Sequence, residues 1–108
     1  MTDTVQRLTP EDFESKVIEA RHPVLVDFYA DWCPPCRVVG PVIDQLAEAY
    51  ANRIGVYKVD VDMSPELASR FGVRSIPTLV VFKDGEPVET VVGVVTLGQL
   101  NGLLARVA

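Results

Sequence analysis

The chain has 108 residues, 48% hydrophobic and 23% charged, a balance that fits one globular domain over residues 1–108 and excludes a disordered segment. Its formal net charge of −5, from 15 acids against 10 bases, argues against nucleic acid and anionic membrane as partners. Met1 to Arg7 lacks the apolar stretch of a secretory leader, and no uncharged run approaches the about 18 residues of a membrane span, so a reducing, cytoplasmic location is expected.

In chain order, Thr4–Leu8 reads as a short strand. Thr9-Pro10-Glu11-Asp12 then opens a helix, with Thr9 as N-cap, Pro10 at N1 and acids in the positive first turn. Leu8 and Phe13 make a hydrophobic staple, and Phe13, Val17 and Ile18 face inward up to about Arg21. Pro23–Ala30 is too continuously apolar for a half-exposed strand and predicts a central one covered on both faces. A second helix runs from the cysteines to about Ala51. Val38, Val39, Val42, Ile43, Leu46 and Tyr50 keep its period, while Gly40-Pro41 should kink it without ending it. Asn52 is its expected C-cap.

Ile54–Val61 is the next strand, and strand–helix–strand order implies a parallel pair with a right-handed crossover. Ser64-Pro65-Glu66 starts a short helix that Gly72 ends. Thr78–Phe82 and Pro87–Val92 flank Lys83-Asp84-Gly85-Glu86, an Asp-Gly hairpin signal. The last helix opens with the capping box Thr96-x-x-Gln99, stapled by Val95 and Leu100. Leu97, Leu100, Leu103, Leu104 and Val107 form its apolar face, and Gly98 and Gly102 lower its propensity. Alternating strands and helices indicate an α/β layer fold.

Cys33 and Cys36, the only cysteines, sit in Trp32-Cys33-Pro34-Pro35-Cys36, between the buried strand and the second helix. A purely structural disulfide would close so short a loop that it restrains the unfolded chain by only about 2 kcal/mol. Structural zinc needs four ligands, and the chain offers two thiols and one histidine, His22, in a separate loop. Haem attachment needs histidine where Arg37 stands. Asp60 and Asp62 read as a solvated strand end and not as a metal pair, so no metal is expected.

Redox chemistry has a physical basis here. Pro34 pushes Cys33 out of the α region, which suits an N-cap. Pro34 and Pro35 fill N1 and N2, where N–H groups have no helical partner anyway, and Cys36 falls at N3. The positive helix end favours a Cys33 thiolate, with Arg37 placed to add to it. Attack on another protein's disulfide also requires Cys33 to be reachable, beside an apolar docking groove. Asp27 is an acid inside a strand made for burial, and desolvation should raise its pKa. It reads either as an acid/base for Cys36 or as a structural acid; Lys58, on the neighbouring strand, reads as its partner or as a lysine reaching water.

Together these residues resemble the thioredoxin family over nearly the whole chain. The likeness rests on Asp27-Phe28-Tyr29-Ala30-x-Trp32-Cys33-x-Pro35-Cys36, on Val73-Arg74-Ser75-Ile76-Pro77-Thr78 and on the order of elements. It implies a five-stranded mixed sheet of order 1-3-2-4-5 flanked by four helices, with Pro77 cis and Pro41 at a helix kink. It also implies reduction of client protein disulfides at Cys33 and Cys36, with Asp27 taking the Cys36 proton and Lys58 beside it. Trp32, Ile76, Pro77, Val92 and Gly93 would line the client groove, with Trp32, Pro34 and Pro35 tuning the redox pair. No cofactor beyond the Cys33–Cys36 disulfide, recycling by an NADPH-dependent flavin reductase, and a monomer are expected.

For thioredoxins in general the attacking thiol titrates near about 7, against about 8.5 for a free one; that figure belongs to the family and is not obtained from this chain. At pH 7 it raises the thiolate fraction about fifteen-fold, while lower basicity costs roughly five-fold in nucleophilicity. The net gain is only about three-fold, so docking must supply the rest. Two departures stand out. Pro34 replaces the family's Gly, and the sign of its effect on the potential does not follow from sequence. Tyr29 replaces a Trp common in the family, a change expected to alter fluorescence more than chemistry. An oxidase or isomerase, and a binding module on the same scaffold, are the competing readings.

Overall fold

The structure, a computed structural model, describes residues 5–107; Thr4, at the start of the expected first strand, lies outside them. The elements are β1 (Gln6–Arg7), α1 (Pro10–Phe13) continued by a π-helical turn (Glu14–Ile18), β2 (Val24–Tyr29), α2 (Pro34–Ala49), β3 (Gly55–Asp60), α3 (Pro65–Arg70), β4 (Thr78–Lys83), β5 (Glu86–Val92) and α4 (Leu97–Ala105). The five-stranded sheet has the order β1-β3-β2-β4-β5. β1, β3 and β2 run parallel, while β4 and β5 continue antiparallel. This is the mixed sheet the family resemblance implies.

β2 occupies the centre because it can be covered everywhere. β3 and β4 take its two hydrogen-bonding edges. Alternation along the strand sends Val24, Val26 and Phe28 to one face, against Phe13 and Val17 of the first helix, Leu67 of α3 and Phe82. Leu25 goes to the other face, against Val39, Ile43 and Leu46 of α2 and Leu100 and Leu104 of α4. Each fully buried side chain of this kind contributes about 1.5–3 kcal/mol. Asp27 and Tyr29 share the parity of Leu25 and therefore face the α2 side, as Lys58 does through its pairing with Asp27.

Two helix boundaries differ from the sequence reading. The first helix is α-helical only to Phe13, after which the Glu19 N–H donates to the Glu14 carbonyl at 2.9 Å, one residue wider than an α-turn. Its start follows expectation: the Asp12 carboxylate accepts the Thr9 N–H at 2.7 Å, and Leu8 and Phe13 are both buried. α2 runs unbroken through Pro41 and ends at Ala49, with Tyr50 and not Asn52 as C-cap. The Tyr50 carbonyl takes the N–H groups of Arg53 and Ile54, so the helix closes two residues before the expected Ala51 and β3 begins at Gly55. At α4 both halves of the capping box form, the Gln99 N–H to Thr96 Oγ1 at 3.1 Å and the Thr96 N–H to Gln99 Oε1 at 2.8 Å.

The β4–β5 turn is the two residues Asp84 and Gly85, with φ of 54° and 81°, the doubly left-handed turn that suits the twist of a hairpin. A Cβ at Gly85 would also lie 2.9 Å from the Ile18 carbonyl oxygen. We expect Gly85→Ala to destabilise the protein by about 1–2 kcal/mol or more in urea unfolding. Gly102→Ala, inside α4 with open space around it, should stabilise by up to about 1 kcal/mol. A neutral Gly85→Ala would contradict the turn described here.

Candidate active site at the start of helix α2

The chain leaves β2 at Tyr29 and enters α2 at Pro34, so the two cysteines lie where the central strand ends and a helix begins. Cys33 is the N-cap, with extended φ and ψ of −90° and 109°, and its Sγ accepts the Cys36 N–H at 3.3 Å. Pro34 and Pro35 occupy N1 and N2 as expected. The two sulfurs form a disulfide. The Cys33 sulfur is thus held at the positive end of a 16-residue helix by an N–H that would otherwise lack a partner. Arg37 does not add to this through a contact with the thiol: its Nε donates to the Asp31 carbonyl at 3.2 Å.

Exposure does not separate the two cysteines, contrary to the expectation of a reachable Cys33. Cys33 is 3% exposed and Cys36 5% in this disulfide form. The cap geometry folds the Cys33 sulfur back over the first turn, and the Ile76 carbonyl oxygen lies 3.8 Å from it. Ala30 is buried with both cysteines, and Tyr29, Val61 and Ile76 pack against the group. What is exposed is the rim: Pro34, Pro35, Trp32 at 63% and Val92 at 62%.

Of the residues expected to line a groove, the loop before β4 and the end of β5 bring Ile76, Pro77, Val92 and Gly93 together. The Ile76–Pro77 bond is cis. The Pro77 carbonyl accepts the Gly93 N–H at 2.8 Å, which ties the loop before β4 to the end of β5. Ile76 is half-buried and Pro77 is buried. Trp32 Nε1 donates to Asp62 Oδ2 at 2.6 Å. Asp60, expected to be solvated, is instead 5% exposed, and its Oδ1 accepts the N–H groups of Asp62 and Met63 at 2.8 and 3.2 Å. It shapes the turn that offers Asp62 to Trp32. Sequence reading missed this role; the spacing Asp60-x-Asp62 after a strand is an Asx-turn signal that could have shown it.

Asp27 behaves as its place in β2 dictates. It is 4% exposed, and its Oδ1 is buried with no hydrogen-bond partner among the described residues. Burial raises its pKa from 3.8 to about 7, against the opposing pull of the Lys58 charge. Lys58 is its direct register partner across the parallel β2–β3 pair. Asp27, Lys58 and Cys36 line one cavity of about 310 Å³, together with Tyr29, Ala30, Asp31, Arg37 and Gly40. A cavity of this size with several polar walls has room for water between carboxylate and sulfur. His22 sits in the loop before β2, away from this site, with Nδ1 3.2 Å from the Pro23 carbonyl. No group of three or more His, Cys, Asp or Glu among the described residues could hold a metal ion.

A paired thiol at a helix start, a cis-proline loop beside it and a buried acid behind it define a thiol–disulfide oxidoreductase. Comparison with known proteins gives the family. The thioredoxin family profile matches residues 4–106. The chain is 52% identical to "Thioredoxin 1" of Synechococcus elongatus, over 92% of each chain. It is 48% identical to "Thioredoxin" of Pyropia yezoensis, over 95% of this chain and 96% of that one. It is 41% identical to "Thioredoxin M4, chloroplastic" of Arabidopsis thaliana, over 94% of this chain and 53% of that one. The chain belongs to the thioredoxin family and is an oxidoreductase acting on protein disulfides. Proteins of this family need no bound cofactor; the redox group is the cysteine pair itself.

The Asp27 shift has a consequence for stability. An acid with a raised folded-state pKa binds its proton more tightly folded than unfolded, so stability falls as pH rises from about 4 to about 7 and is level above that. The gap between 3.8 and about 7 corresponds to about 4 kcal/mol. Asp27→Asn should remove most of this slope in denaturation curves taken from pH 4 to pH 8. Equal slopes in the two proteins would show that Asp27 is not the buried acid described.

Proposed function

We propose that Cys33 is the attacking thiolate, Cys36 the resolving thiol, and Asp27 the acceptor of the Cys36 proton, with Lys58 setting the charge around it. The observation that carries this division is the placement of the two sulfurs: Cys33 is the helix cap, whereas Cys36 shares a cavity with Asp27. The Cys33 thiolate attacks a client disulfide, forming a mixed disulfide and expelling one client thiolate. Asp27 takes the Cys36 proton, through water. The Cys36 thiolate then attacks the Cys33 sulfur and expels the second client thiolate. Two electrons have passed to the client, and the chain is left as the Cys33–Cys36 disulfide.

Clients would lie across Trp32, Ile76, Val92 and Gly93, with the Pro77 backbone at the edge and Pro34 and Pro35 stiffening the redox turn. The near-closed Cys33 of the disulfide form requires that the reduced sulfur move outward for attack. Recycling by an NADPH-dependent flavin reductase, action as a monomer of one domain, and residence in a reducing compartment such as the cytoplasm complete the proposal. Its support is a chain whose two cysteines both enter the redox pair. No helix among the described residues is long and apolar enough to cross a membrane.

Cys36→Ser should arrest the cycle as a covalent complex through Cys33, visible on non-reducing gels with a disulfide-bonded client; repeated turnover by this variant would end the two-cysteine scheme. With limiting iodoacetamide, reduced protein should be alkylated at Cys33 first, and even labelling of both sulfurs would remove the division of labour. A reduction potential near about −270 mV, the general thioredoxin figure, is expected from titration against glutathione, and a value near about −180 mV would indicate isomerase work instead.

A further inference from the structure

Tyr29 stands at a position whose surroundings give it more to do than colour the fluorescence. It faces the α2 side of the sheet from β2, two residues beyond Asp27, and lines the same cavity as Asp27, Cys36 and Lys58. The Lys58 Nζ lies over its ring, 5.5 Å from the centroid. Register explains how this arises. Arg7, Lys58 and Asp27 are paired across β1, β3 and β2, so their side chains emerge in one row on one face. Tyr29 and Asp60 form the next row toward the active-site end. The ring of the tyrosine is thereby presented to the lysine.

We infer that Tyr29 is a positioning residue for the proton transfer: by holding the Lys58 ammonium against its ring, it fixes the distance from that charge to Asp27 and so sets the pH at which Asp27 becomes a base. The inference rests on the proposed role of Asp27 only for its effect on rate; the effect on the carboxyl itself is independent. The groups facing Asp27 are Lys58 of β3, Tyr29 of β2, Cys36 and Arg37 of α2, and Asp31 of the β2–α2 connection. Arg7 of β1 and Asp60 of β3 stand one place further out. Of these, Lys58 is the cation that opposes the burial of Asp27. Lys58 is partly buried, and a ring that holds such a cation in place is worth a factor of about two to five in population even by the measure of exposed sites. That is enough to move a titration measurably and too little to decide folding.

The test is the titration of the Asp27 carboxyl, followed by carbon-13 NMR in the full-length oxidised protein, where neither cysteine titrates. Tyr29→Leu keeps the cavity covered but removes the ring face. It should raise the Asp27 midpoint and lower the ionised fraction below that midpoint by about two- to five-fold. Tyr29→Phe keeps the ring and should retain the wild-type midpoint. In a Lys58→Met background, Tyr29→Leu should produce no further shift, since the ring would have no cation to hold. If Tyr29→Leu fails to fold, Tyr29→Met gives the same comparison. An unchanged midpoint in the ring-less variant, or an equal shift without Lys58, would overturn the inference. Asp27→Asn with an unaltered pH profile of the resolving step would overturn the base role of Asp27 instead, and the carboxyl titration would still judge Tyr29.

Discussion

A carboxylate almost wholly withdrawn from the protein surface is the constraint on which this site turns. β2 is hydrogen-bonded along both edges and covered on both faces, so any side chain at position 27 is taken out of solvent by the same packing that forms the core. An aspartate there opposes the stability of the fold at neutral pH. Its retention of a proton up to about pH 7 makes it able to exchange one near the working pH. The strand that centres the fold also carries the buried acid, so neither can be adjusted without the other.

The second organising fact is that the two cysteines differ in electrostatic surroundings and not in exposure. Both are buried in the disulfide. Cys33 receives the N–H of Cys36 at the start of α2, a contact that favours negative charge on sulfur. Cys36 lines the same cavity as Asp27. The consecutive prolines make this possible: a helix can begin with two residues lacking N–H groups, because those groups would have no partner in any case. Around the pair, Asp60 shapes a turn, the turn presents Asp62, and Asp62 holds the Trp32 indole. The exposed rim is held from the end of β3 by these hydrogen bonds, which limits how far Trp32 can swing.

Much of this was legible beforehand where local rules dominate. The Asp-Gly turn, the caps at Thr9 and Thr96, the N-cap cysteine and the buried run of β2 all follow from groups within a few residues of each other. The π-turn after Phe13 was not legible, because five residues cannot distinguish a period of 3.6 from a wider one. The early end of α2 at Ala49 likewise depends on how the Tyr50 carbonyl is shared, which boundary rules resolve only to a residue or two. The burial of Asp60 and the place of the Tyr29 ring beside Lys58 were not legible for a common reason. Each gains its role from neighbours on another strand or in a turn, and pairing register is invisible to a reading that moves along one segment at a time.

The sequence by itself determined which atoms can do thiol–disulfide chemistry, since only two thiols are present and their spacing admits a short loop at a helix start. It also determined that position 27 would be buried, since continuous apolarity leaves no other reading of that strand. Only the tertiary structure decided which sulfur shares its cavity with the acid, that Lys58 and Tyr29 stand together beside it, and that Cys33 lies almost closed in the disulfide form. These are distances across parallel strands and between strand and helix. They arise from packing and register summed over the whole sheet, and no local pattern of residues carries them.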